Sequence, residues 1–144
     1  MRHRLLACLA ASLISSAAMA DPTLVEMLEG EAAGCSITGG SLGTDAFLAR
    51  RDYGERSVKY KKAIEKAYRE SKSCVDTGKP KIRPYVKSEI EKYPKLKPVI
   101  TEAYAAWLGY MDWLSTPREY SEESAEKRNY EAAINRLRAE IDVM

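Results

Sequence analysis

A chain of 144 residues is long enough for one domain with its own core. Its 23 basic and 21 acidic residues nearly cancel, which removes any pI-based case for nucleic-acid binding. Its single histidine leaves little room for the commonest acid–base and metal chemistry.

The N-terminus reads as an export signal. Met1-Arg2-His3-Arg4 is a basic start, an apolar and small-residue run follows, and Ala18-Met19-Ala20 forms an A-x-A cleavage site before Asp21. The expected organisation is a signal peptide over 1–20 and a single helical domain over 21–144. Cleavage removes His3 and Cys8. It also removes Arg2 and Arg4, so 21 basic residues then face 21 acidic ones. Leu5-Leu6-Ala7-Cys8 looks like a lipidation box, but too little chain precedes it to form a signal. The predicted location is periplasmic or secreted. There, the two remaining thiols, Cys35 and Cys74, are expected to form a structural disulfide. No C-x-x-C spacing points to redox work.

Thr23-Leu24-Val25-Glu26 has capping-box spacing and predicts a short helix to about Ala33, stopped by Gly34. Cys35 to Gly43 reads as a flexible connector. It is not a phosphate loop, because Thr44 and Asp45 follow Gly43 where a lysine is needed. A helix is expected from Thr44 or Asp45 to Cys74, with a break near Gly54. Its stripe Tyr60, Ile64, Ala67, Ser71, Cys74 steps by 4 and 3 and faces a core. Asp76 to Pro80 reads as a turn. Pro84 is read as starting a helix with Tyr85, Val86, Ile90 and Tyr93 inward, ended by Pro94.

Leu96, Ile100, Ala103, Trp107, Tyr110 and Leu114 predict the next inward row. Thr101, Ala105 and Gly109 form a smooth row opposite. Ala103 to Met111 carries no charge, so this helix is read as the middle of the bundle, or as one whose outer side meets a partner. Ser115-Thr116-Pro117-Arg118-Glu119 is a second capping box. The last inward row is Tyr130, Ile134, Leu137, Ile141, Met144. No segment alternates with period 2. The fold class is therefore all-α, a small helical bundle of four to five helices with one disulfide. No uncharged helical run of the mature part approaches the roughly 20 residues of a membrane span.

Charge is segregated along the chain. Asp21 to Ala49 holds only acids, while Arg50 to Lys72 and Lys79 to Lys97 are rich in bases. This pattern fits either faces that pair within one domain or a basic surface for an acidic partner.

Catalytic options are few. Without an imidazole no Ser-His-Asp or Cys-His arrangement exists. Ser124 and Lys127 form a Ser-x-x-Lys, but their neighbours are charged and the companion motifs are missing. Glu119, Glu122, Glu123 and Glu126 fit a helix N-terminus better than a cation site. No catalytic residue, metal or cofactor is predicted. With nine tyrosines and two tryptophans, aromatic contacts stand out. Tyr104 and Trp113 lie on helix flanks and, with Leu108, are the predicted partner contacts. Trp107 and Tyr110 are the alternative, a small-ligand site between helices.

The run Trp107-Leu108-Gly109-Tyr110-Met111-Asp112, after Ala103 to Ala106 and an earlier Tyr60 to Tyr68 helix, resembles the lysozyme-inhibitor LprI-type N-terminal domain family. Met111 stands where that pattern has arginine, and Ser115 where it has cysteine. The resemblance implies a non-enzymatic helical envelope protein, with inhibition of a peptidoglycan hydrolase among the roles it allows. The functional expectation is an exported protein that binds another envelope or extracellular protein as an inhibitor or immunity-type protein. The alternative is a periplasmic small-ligand carrier.

Overall fold

The computed structural model describes residues 23–116 and 124–144. They form four helices, α1 (Leu24–Tyr53), α2 (Val58–Lys92), α3 (Lys97–Leu114) and α4 (Ala125–Asp142), with a 3-10 turn at Pro94–Leu96. No strand occurs among the described residues. The expected signal peptide lies outside them, as do the second capping box beyond Thr116 and Glu119, Glu122 and Glu123.

The capping box of α1 is present. Glu26 N–H donates to Thr23 Oγ1 at 3.2 Å, and Thr23 N–H donates to Glu26 Oε2 at 2.7 Å. These bonds to Thr23 hold the Glu26 carboxyl below its ordinary pKa.

The expected stop at Gly34 and the flexible connector after it are both wrong. α1 runs unbroken through Gly30, Gly34, Gly39, Gly40 and Gly43. The reason is α2, with which α1 shares the most extensive interface in the molecule. Cys35, Gly39, Gly43 and Ala46 recur at helical spacing and form a smooth seam. A Cβ added at Gly39 would sit 3.3 Å from Ser71 Oγ of α2. Small residues there let two helices come close, and that packing outweighs poor propensity.

The other glycines are not needed for the seam. Gly30, Gly34 and Gly40 are exposed, and a Cβ on each meets nothing within 4 Å. Exchanging all three for alanine should add about 2 kcal/mol of stability, since each exposed helical glycine costs about 0.5–1 kcal/mol. Urea unfolding checks this. A triple variant no more stable than the parent would contradict a continuous α1.

α1 ends where a break was expected. Gly54 has φ of 82°, a conformation that favours glycine, and its N–H donates to Arg50 O at 2.8 Å. Ser57 then caps α2, its Oγ accepting from Tyr60 N–H at 3.1 Å.

The predicted turn at Asp76 to Pro80 is not formed, and no new helix starts at Pro84. α2 continues through Gly78, Pro80 and Pro84. Both proline rings are exposed, so the carbonyls they leave without a helical N–H sit on the outer side. The inner row continues without interruption as Ser71, Val75, Gly78, Ile82 and Val86. In that register Tyr85 falls outside and is 44% exposed, rather than inward. Ile90 and Tyr93 pack against the core as expected.

α3 is the central helix and packs on all three others. Its predicted inward row is buried along its whole length. Thr101, Ala105 and Gly109 nonetheless remain exposed among the described residues. In α4, Tyr130, Ile134 and Leu137 are buried, but Ile141 and Met144 are 39% and 64% exposed, since the helix outruns the core. Two ion pairs tie the acidic start of the chain to other helices: Glu29 to Arg138 at 2.6 Å and Glu31 to Lys81 at 3.1 Å.

Cys35 and Cys74 are bonded, with Cα atoms 5.6 Å apart. Cys35 belongs to the main core, and no residue of 36–73 does. Past the bridge, α1 and α2 continue together as a two-helix arm. The 18 residues that follow Cys35, ending at Tyr53, correspond to about 27 Å of helix.

Candidate functional site: a basic groove between α2 and α3

Lys79, Arg83 and Lys87 recur every four residues, so they share one outer stripe of α2. With Pro80, Pro84 and Tyr104 of α3 they line an open groove of about 670 Å³. Tyr104 is held in place by stacking on the buried Trp107, with ring centroids 5.8 Å apart and planes at 17°.

Lys79 closes one end by pairing with Asp112 of α3. Arg83 and Lys87 have no acidic partner among the described residues. One helical turn separates them, about 6 Å along the axis. Two unpaired cations at that spacing, beside a tyrosine and two apolar proline rings, suit carboxylates one turn apart on an acidic segment.

The predicted contacts divide. Tyr104 lines the groove. Leu108 is partly buried, one turn further along the same side of α3. Trp113 lies half a turn around the helix from Tyr104. It stacks on Tyr110 at 5.8 Å, and Tyr110 stacks on Tyr130 of α4 at 5.2 Å. Trp113 therefore belongs to the α4 side, apart from the groove.

Trp107 and Tyr110, the alternative ligand residues, lie in the core at 0% and 5% exposure. The indole N–H of Trp107 donates to Leu28 O at 2.9 Å, so its polar atom already has a partner. The Tyr130 hydroxyl is buried without one among the described residues. Burial, then the Glu29 charge, pushes its phenol above the ordinary pKa, so it stays neutral.

Ser124 and Lys127 make a helix cap. Ser124 Oγ accepts from Lys127 N–H at 2.9 Å, and Lys127 Nζ reaches Glu131 at 3.4 Å. Among the described residues, no three His, Cys, Asp or Glu side chains gather where they could hold a metal ion.

Sequence reading missed Lys79, Arg83 and Lys87 because it cut the chain at Pro80 and Pro84. Their spacing of four was the available signal. It has meaning only on one unbroken helix.

No family model, no curated protein and no solved structure matches the chain significantly.

Proposed function

We propose that this chain is an exported, non-enzymatic binding protein that docks an acidic segment of another envelope or extracellular protein, acting as an inhibitor or immunity-type protein. The α2–α3 groove is the docking site. The observation that carries this reading is the pair Arg83 and Lys87 beside Tyr104, without an acidic partner among the described residues. Three other bases of the core end pair internally, in Arg138–Glu29, Lys81–Glu31 and Arg136–Glu102. Two cations side by side in one groove, with no acidic partner among the described residues, favour an external anion. The resemblance to the lysozyme-inhibitor LprI-type family points the same way.

The test compares the tagged chain with Arg83→Glu/Lys87→Glu and with Tyr104→Ser in affinity capture from envelope extract. A protein retained by the parent should bind each variant at least about tenfold more weakly, while circular dichroism stays unchanged. Binding to the parent should also weaken with salt. Undiminished retention by the double charge reversal would rule the groove out.

A further inference from the structure

The end of the arm opposite the groove's core carries a second surface with a different chemistry. Residues 50–62 hold six bases (Arg50, Arg51, Arg56, Lys59, Lys61, Lys62) and two acids, Asp52 and Glu55. The α1 shank below them, residues 36–49, holds no base and one acid, Asp45. The excess positive charge therefore sits at the tip, about 27 Å of helix beyond the disulfide.

The same tip exposes apolar surface. Tyr53 is 54% and Val58 68% exposed, on either side of the Gly54 turn. Lys59 Nζ lies 3.7 Å from the Tyr53 ring centroid, so a cation and an aromatic already share one spot. The bases do not favour one side. At 100° per residue, Lys59, Lys61 and Lys62 point all round α2, and Arg50 and Arg51 diverge on α1. A partner protein approaching from one direction would meet only part of this ring. A plane of negative charge meets all of it, with long side chains bending toward headgroups and Tyr53 and Val58 entering the interface. Among the described residues no helix is long and apolar enough to cross a membrane, so the contact is one of resting on the surface.

We propose that the arm's tip docks end-on on an anionic phospholipid surface, through Arg56, Lys59 and their neighbours, with Tyr53 and Val58 inserted at the headgroup level. The groove faces outward from the core end and is left free. This second contact stands whether or not the groove binds a protein.

The test uses the purified chain with its disulfide formed. It is sedimented with vesicles of phosphatidylglycerol and phosphatidylcholine, and with vesicles of phosphatidylcholine alone. Binding is expected only to the anionic vesicles and should fall steeply with salt. Arg56→Glu/Lys59→Glu should lower it by at least about tenfold. Tyr53→Ser/Val58→Ser should lower it while leaving circular dichroism unchanged. In a Val58→Trp/Trp113→Phe variant, tip fluorescence should shift to shorter wavelength on anionic vesicles and not with inorganic phosphate. No sedimentation with anionic vesicles would overturn the proposal. So would equal binding to neutral ones, or full binding by the charge-reversed tip. Loss of vesicle binding in Arg83→Glu/Lys87→Glu, with the tip intact, would also overturn it by moving the contact to the groove.

Discussion

Replacing Trp107 with alanine should destabilise the protein by about 3–5 kcal/mol, the range for removing a large aromatic side chain from a packed core. Trp107 is 0% exposed and sits on the central helix, where its ring stacks against Tyr104 and its N–H reaches across to Leu28 O. Alanine would leave a cavity bordered by α1 and α3 and would withdraw the support behind Tyr104. Since a domain of this size has about 5–15 kcal/mol in total, much of its stability would go. Trp107→Phe should cost less, about 1–2 kcal/mol. It keeps most of the apolar volume and loses only the bond to Leu28, whose carbonyl lies within α1. Urea midpoints read both values. An alanine variant within about 1 kcal/mol of the parent would mean that Trp107 is not core and would reopen the small-ligand reading.

The second large effect concerns the disulfide. Cys35 and Cys74 are 39 positions apart, and the loop they close corresponds to about 4 kcal/mol in the chain-entropy account. Reduction, or Cys35→Ala/Cys74→Ala, should lower the urea midpoint accordingly. The loss should also be uneven. The fully buried residues of the arm beyond the bridge are Gly43, Ala46, Ala67 and Ser71, which bury little apolar area. Ser71 Oγ is itself buried without a partner among the described residues. Hydrogen exchange in 36–73 should therefore speed up well before exchange in α3 does. Uniform loss of protection across all four helices, or none at all, would show that the arm is not a separate cooperative unit.

What was legible from the residues was whatever depended on a single helix. The α3 row from Leu96 to Leu114 and the Thr23 box each follow from local spacing, and each is present. The bridge followed from cysteine count and expected compartment. What could not be read was the pairing of α1 with α2. Five glycines argue against a helix by propensity; the closeness of α2 explains Gly39 and Gly43, while Gly30, Gly34 and Gly40 are carried along by the helix around them. Pro80 and Pro84 look like helix ends by the same local logic. They are tolerated because both face outward from a row that stays buried. The groove was lost with them. Tyr104 could be named from its flank position, but its basic neighbours could not.

The bond between Cys35 and Cys74 lies at the base of the arm, not at its end. Opened, it would leave the four-helix end its own packing while the projecting pair parts more readily. The reach of the arm is thus coupled to an oxidant, because the one covalent link that clamps its two helices sits at its foot.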